Sequence, residues 1–497
     1  MVQGTSSHVG KSVLTAALCR IFRDRGFSAA PFKAQNMALN SFVTKEGREI
    51  GRAQAFQAEA AGIEPTSDMN PVLLKPTGDS VSQVIIHGRV FGVMGAVEYH
   101  SFKREAARFV MESYSRLAAA YDVIVIEGAG SPAEVNLREG DIANMGVAEM
   151  TGAPVILAGD IDRGGVFASL VGTLELLAPS ERERVRGFII NKFRGDMGLL
   201  RPGLDFLFEK TGRPVLGVVP YLDGVALPDE DGVALQGAGR GGAGKGDIRI
   251  AVIKLPRISN FTDFDPLKLS PGVELEFIED SKGLAGADMA IIPGTKNTLS
   301  DLAWLKERGF ERGLADFAGR GGMVAGICGG FQMMGRKVSD PLGVESSLKE
   351  AKGLGLLDAE TVLKGEKAVF QVKATVTALP GSDGQGLSVE GYEIHMGKTT
   401  GSAAPFARIT GRNGAEADIL DGGSAGNLWG TYIHGIFDND AFREALLSGL
   451  RAGKGISSSL TAAEGFREQR EASIKRLAGV VEESLDMEAI MGIAGLG

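Results

Sequence analysis

The sequence predicts two α/β domains in tandem, each built on a parallel sheet with helices on both faces. Three observations predict this. From Lys11 to about Tyr221, apolar runs such as Val123-Ile124-Val125-Ile126, Pro154-Val155-Ile156-Leu157-Ala158 and Gly187-Phe188-Ile189-Ile190-Asn191 alternate with amphipathic stretches. Continuous β-branched runs between helices are what a sheet buried on both faces requires. Residues 237–246 read Gly-Ala-Gly-Arg-Gly-Gly-Ala-Gly-Lys-Gly, a composition that cannot bury a core and reads as a flexible linker. The alternation then restarts with Ile248-Arg249-Ile250-Ala251-Val252-Ile253 and continues through 288–293 and 323–327. The expected layout is a first domain over 1–228, a linker over 229–247, a second domain over 248–445 and a helical extension over 446–497, where 468–485 suggests a terminal helix covering the domain.

Bulk properties narrow the function classes. At 497 residues the chain exceeds one hydrophobic core. Its 44% hydrophobic and 23% charged residues are ordinary for a soluble protein. No apolar run approaches the roughly 20 residues of a membrane span. A glycine-rich loop beginning at Gly4 leaves no room for a signal peptide, so the cytoplasm is expected. Net charge of −9 argues against nucleic acid as a partner. With only Cys19 and Cys328 present, special sulfur chemistry rests on a single thiol.

The opening segment Gly4-Thr5-Ser6-Ser7-His8-Val9-Gly10-Lys11-Ser12 is a phosphate loop with one residue more than the common form. Backbone N–H groups at Gly4, Thr5 and Gly10 would wrap a polyphosphate, Lys11 would neutralise its outer charge, and the Ser12 hydroxyl would ligate magnesium. ATP and Mg2+ are the expected cofactors. Only Met1-Val2-Gln3 precede the loop, so the strand feeding it is very short or the chain is clipped.

Glu127 ends the run 123–126 and stands at the carboxyl edge of the sheet, a candidate metal ligand. In Gly159-Asp160-Ile161-Asp162-Arg163, Asp160 could hold metal and Arg163 an anionic substrate group, although ordinary loop polarity explains them equally well. Asn191 either reads an adenine edge or caps a strand. The segment 31–41 offers Lys33, Gln35, Asn36, Asn40 and Ser41 as grips for carboxylates and phosphate, or as a polar loop.

In Gly326-Ile327-Cys328-Gly329-Gly330-Phe331-Gln332 a strand turns sharply into a helix, exposing the sulfur where the helix amino end favours thiolate. Cys19, inside the helix after the phosphate loop, reads as packing. Of five histidines, His434 closes an apolar strand in the same domain and is the chosen activator, with His395 as rival. Backbone N–H groups near Gly294 and at Gly329 would form an oxyanion hole.

The phosphate loop resembles that of dethiobiotin synthetase-like enzymes and lacks the additional early lysine of partition-type ATPase switches. The thiol segment resembles class I (triad-type) glutamine amidotransferases, which implies that Gln332 helps bind glutamine. Together with Lys33-Ala34-Gln35-Asn36-Met37-Ala38-Leu39-Asn40-Ser41, Glu127-Gly128-Ala129-Gly130-Ser131-Pro132, the stretch from Leu255 to Asp265 and that from Gly391 to Gly397, these motifs resemble the cobyric acid synthase family over nearly the whole chain. The resemblance implies glutamine-dependent, ATP-driven amidation of four carboxylates (b, d, e and g) of adenosylcobyrinic a,c-diamide in cobalamin biosynthesis.

One departure accompanies the resemblance. Many related glutaminase domains carry a glutamate two residues after the histidine, where this chain has Ile436. A Cys328–His434 dyad is therefore expected, with nothing assigned to orient His434. The nearest alternative is cobyrinic acid a,c-diamide synthase, against which 33–41 speaks. An alternative of another class is an ATP-dependent switch with an inactive amidotransferase domain, against which Lys11, Cys328 and His434 speak.

Overall fold

The computed structural model describes residues 1–78, 80–222, 246–382, 384–456 and 465–496. The expected linker, apart from its last two residues, and the expected boundary at 228 lie outside the described residues.

The first domain is a parallel sheet in which Val2–Gly4, Val155–Asp160, Val185–Phe193 and Val215–Pro220 are neighbours in that order. On its other side Val2 bridges in parallel to Glu127, which brings in the pair Val123–Ile126 and Ala29–Phe32. Thus the strand before the phosphate loop is only three residues long, and all three are buried. Its register against Ile156, Leu157 and Ala158 suffices to fix Gly4 at the sheet's carboxyl edge. Cys19 is fully buried in the helix Lys11–Asp24, and burial, followed by the charge of Glu127, pushes its thiol pKa up, as suits a packing residue.

A second layer was not anticipated from the pattern. Gln35–Met37 pairs in parallel with Val72–Gly78, which continues into an antiparallel ladder with Val81–Ile86 and Arg89–Gly95. This ladder projects Lys75 and Gln83, both buried, toward the second domain.

The second domain orders its strands Val273–Ile278, Ile248–Ile253, Met289–Ile292, Met323–Ile327, Leu428–Thr431 and Gly423–Ala425, the last pair antiparallel. Ile248–Ile253 and Met323–Ile327 coincide with the runs read from sequence because every residue but Arg249 is buried. The long hairpin Ala359–Val376 with Ser388–Gly401 forms an antiparallel sheet beside it, and Ile433–His434 joins that sheet through Tyr392 and Glu393.

The chain's last helices correct one expectation. Asp440–Gly453 packs on the second domain through Phe442, Leu446 and Leu447. Phe466–Ser484 instead returns to the first domain, where Ile474, Leu477 and Val481 join one core with Leu14, Leu18 and Ile21 of the helix behind the phosphate loop. Arg20–Glu471 and Arg25–Glu482 ion pairs, each at 2.7 Å, flank that contact. The apolar face of this helix has its partner more than 450 residues away, as the flanking Arg20–Glu471 pair at a separation of 451 shows, which no local pattern announces. No helix among the described residues is long and apolar enough to cross a membrane.

The domains meet along a seam of reciprocal hydrogen bonds. Ser41 N donates to Asn260 Oδ1 at 2.9 Å, and Phe261 N donates to Asn40 Oδ1 at 3.2 Å. Tyr392 Oη donates to Ser41 O at 3.2 Å. Asn40 and Ser41, expected to grip substrate, therefore hold the domains together at this seam.

Candidate functional site

The phosphate loop closes over its own lysine. Lys11 Nζ donates to Ser6 O and Gly130 O, both at 3.0 Å. Gly10 has φ +97, and a Cβ there would lie 2.2 Å from Asn191 Nδ2. Only glycine meets both conditions. Asn191 Nδ2 donates to Val9 O at 2.7 Å, so this amide supports the loop from beneath rather than facing an adenine edge. Thr5 N is likewise committed, donating to Ala158 O at 3.0 Å, which extends the sheet instead of offering an N–H to phosphate.

Glu127 is 1% exposed and gathers the site. Its Oε1 accepts from Ser12 Oγ at 2.7 Å and from Lys33 Nζ at 2.8 Å, and its Oε2 from Gln57 Nε2 at 2.6 Å. Sequence reasoning did not single out Gln57, which sits in the helix Arg52–Ala61 with no motif to mark it. The hydroxyl of Ser12 beside the carboxylate of Glu127 is a hard-oxygen donor pair of the kind magnesium takes alongside phosphate and water. Asp160, 9% exposed, pairs with Lys192 at 2.8 Å and stands 3.9 Å from Arg163. The Arg163 side chain is 67% exposed.

A cleft of about 720 Å³ opens from this loop toward the second domain. Lys11, Lys33 and Asn36 line one wall, and Lys254, Trp304 and Arg308 the other. Asn36 Nδ2 donates to Gln54 Oε1 at 3.0 Å, while Gln35 Oε1 accepts from Tyr99 Oη at 2.6 Å. Lysines on both walls, with Arg308 on one, suit a ligand rich in carboxylates.

In the second domain Cys328 sits between the strand Met323–Ile327 and the short helix Gly329–Met334, with φ +51 and ψ −109. That strained elbow points the sulfur away from the strand. A Cβ on Gly330 would meet Ile292 O at 1.9 Å, so the helix packs on the neighbouring strand only with glycine there. Cys328 Sγ is 3.4 Å from Ile394 O.

His434 is 2% exposed and lines the same pocket as Cys328. Behind it stands an acid: His434 Nδ1 lies 2.6 Å from Asp263 Oδ2, and Gly435 N donates to Asp263 Oδ1 at 3.2 Å. The geometry thus extends the expected Cys328–His434 dyad to a candidate Cys328–His434–Asp263 triad. Burial alone would lower the histidine pKa, but the charge and hydrogen bond of Asp263, then Cys328, overcome it and carry His434 up to about 10. Tyr392 stacks on the imidazole, with centroids 5.4 Å apart and planes at 19°.

His395, the rival, is engaged elsewhere. Its Nδ1 meets Gly397 O at 2.8 Å, its Nε2 meets Glu393 Oε1 at 3.2 Å, and its ring stacks on Tyr432. Gln332 lines the pocket, where Oε1 accepts from Thr298 Oγ1 at 3.0 Å and Nε2 donates to Tyr432 Oη at 3.3 Å, each with a second hydrogen-bonding capacity. Gly294 borders the triad, its position for a Cβ lying 3.2 Å from His434 Cε1, and Gly329 packs against Thr295.

Comparison with known proteins agrees with this two-site architecture. Residues 1–235 match the family described as the CobQ/CobB/MinD/ParA nucleotide binding domain, and residues 249–442 the CobB/CobQ-like glutamine amidotransferase domain. The chain is 49% identical to a cobyric acid synthase of a Thermoanaerobacter species, over 99% of this chain and 98% of that protein. It is 51% identical to the one from Moorella thermoacetica, over 100% and 97%, and 52% identical to the one from Pelotomaculum thermopropionicum, over 100% and 96%. The chain belongs to the cobyric acid synthase family of glutamine-dependent amidoligases.

Proposed function

We propose that the protein amidates the b, d, e and g carboxylates of adenosylcobyrinic a,c-diamide, one ATP and one glutamine per amide, giving adenosylcobyric acid. The observation that carries this reading is the Cys328–His434–Asp263 triad in one chain with Lys11, Ser12 and Glu127, beside a cleft walled with cations from both domains.

At the thiol site, the Cys328 thiolate adds to the side-chain amide carbon of glutamine. The His434 imidazolium gives its proton to the departing nitrogen, the C–N bond breaks, and ammonia leaves a glutamyl thioester. His434 then takes a proton from water as that water attacks the thioester, the C–S bond breaks, and glutamate departs with the thiolate restored. Asp263 fixes the imidazole tautomer and offsets its charge. N–H groups near Gly294 and Gly329 would bind the oxyanion.

A carboxylate resists attack by ammonia because its oxygen is a poor leaving group. Transfer of the γ-phosphoryl group from ATP to that oxygen releases ADP and makes an acyl phosphate. Ammonia then adds to the acyl carbon and inorganic phosphate leaves. Lys11 offsets charge on the transferring group. Ser12 and Glu127 would hold Mg2+, which supplies charge neutralisation at the phosphates. Lys33, Asn36 and Arg163 would steer the anionic periphery of the corrinoid. The rival family member, cobyrinic acid a,c-diamide synthase, amidates other carboxylates of the same ring, so product identity separates the two. Mass spectrometry of the product formed from adenosylcobyrinic a,c-diamide, glutamine and Mg-ATP is expected to record four acid-to-amide replacements, and an unaltered diamide would refute the assignment.

A further inference from the structure

Beside Cys328 the pocket wall contains three buried lysines that the reaction just described does not use. Lys75 comes from the first-domain strand Val72–Gly78, Lys296 from the loop after Met289–Ile292, and Lys367 from the strand Ala359–Val376. Lys75 is 4% exposed and Lys296 8%. One carboxylate, Glu49, ion-pairs with both Lys75 and Lys367, the former at 2.7 Å. Lys296 differs from its neighbours. Its Nζ donates at 3.0 Å to the neutral amide oxygen of Gln83, a first-domain residue, and among the described residues no carboxylate reaches it within ion-pair distance.

Burying an ammonium without a counter-ion in contact is costly. Burial, and after it the like charges of Lys367 and Lys75, lower the Lys296 pKa to about 7. Glu345 lines the same pocket, its Oε2 accepting from Thr298 N at 2.8 Å, and burial pushes its carboxyl pKa up. Lys296 and Glu345 feel each other's charge across the pocket, which partly offsets both shifts, but among the described residues neither is in direct ion-pair contact with an opposite charge. A ligand that relieves both carries a carboxylate and an ammonium on one small skeleton, as an α-amino acid does.

We propose that Lys296 receives the α-carboxylate of glutamine and Glu345 its α-ammonium, with Gln83 of the first domain holding Lys296 in place. This rests on the reading of Cys328 as the thiol that attacks glutamine. It makes glutamine recognition a property of the docked pair of domains, since the lysine's only direct hydrogen-bond partner in the described structure belongs to the synthetase half. A divalent metal is the wrong occupant, because three lysines line the same space.

The test compares hydrolysis of glutamine, γ-aminobutyramide, which lacks the α-carboxylate, and glutaramate, which lacks the α-ammonium, by the full-length enzyme and its variants. The enzyme is expected to prefer glutamine over γ-aminobutyramide by about ten- to a hundredfold in kcat/KM, the worth of one charged hydrogen bond. Lys296→Met should raise KM for glutamine by a similar factor, leave γ-aminobutyramide hydrolysis unchanged, and so erase the preference. Glu345→Gln should erase the preference over glutaramate alone. Ammonia-dependent amidation reports whether each variant is folded, and Lys296→Gln replaces Lys296→Met if the latter is not. A folded Lys296 variant that keeps the full preference overturns the assignment. Glutamine hydrolysis surviving in Cys328→Ala would overturn the underlying reading instead.

Discussion

His434 Nδ1 lies 2.6 Å from Oδ2 of Asp263, a carboxylate 171 residues earlier in the chain. Asp263 belongs to the turn Phe261–Phe264, directly after Asn260, whose φ of +52 and hydrogen bond to Ser41 tie that turn to the first domain. The acid that orients the histidine thus comes from the segment that also forms the seam.

Replacing Asp263 with Asn keeps the shape and removes the charge. The imidazole then loses the partner that fixes its tautomer, and glutamine hydrolysis should fall about a hundred- to ten-thousandfold in kcat with little change in KM. Ammonia-dependent amidation by Asp263→Asn should stay near that of the unaltered enzyme, because the phosphate loop is untouched. Steady-state kinetics with each nitrogen source separates these outcomes, and an unchanged glutaminase kcat would remove Asp263 from the triad.

The same pair sets a pH dependence. The His434 pKa is raised from 6.5 to about 10, against burial, by Asp263 and Cys328. A raised value means that the folded state binds the proton more tightly. The stability it contributes is complete below pH 6.5 and is lost as pH climbs from there through about 10. Denaturation midpoints of the enzyme and of Asp263→Asn should therefore converge over that window. The alkaline limb of the glutaminase pH–rate profile should lie near pH 10 and shift toward neutrality in Asp263→Asn. A limb that does not move would contradict the ion pair.

Lys11 serves the other reaction. Lys11→Ala should lower amidation by about a hundred- to a thousandfold whether nitrogen comes from glutamine or ammonia, since a charge clamp on the transferring phosphoryl group is lost. Amidation by this variant at the rate of the unaltered enzyme, with either source, would show that the loop does not handle ATP.

Leu477 tests the return of the terminal helix. It is fully buried against the first-domain core that includes Leu14 and Leu18. Leu477→Ala should destabilise the protein by about 2–5 kcal/mol in chemical denaturation. A loss below about 0.5 kcal/mol, the range of a surface substitution, would contradict that packing.

Much of this was legible in the sequence because strands buried on both faces write themselves as continuous apolar runs, and because Cys328 and the loop 4–12 have spacings dictated by backbone geometry. Asp263 was not legible as a triad member. Its distance from His434 is short only after folding, and the usual position two residues beyond the histidine holds Ile436, which is buried in the core. The seam role of Asn40 and Ser41 was not legible either, because a polar segment after a strand looks the same whether it grips a ligand or another domain. Asn191 lies inside the strand Val185–Phe193, which runs past the expected end, and its amide nitrogen donates to the loop at Val9 O. Lys75 and Gln83 left no signal, since an antiparallel ladder inserted between two α/β units has no motif of its own.

The central claim is a division of labour between a thiol that frees ammonia and a phosphate loop that activates carboxylates. The most direct measurement is the rate of corrinoid amidation by Cys328→Ala with Mg-ATP and either glutamine or ammonium as nitrogen source. The account predicts no amidation from glutamine and a rate with ammonium close to that of the unaltered enzyme. Loss of both activities in a folded variant, or retention of the glutamine-dependent one, would contradict it.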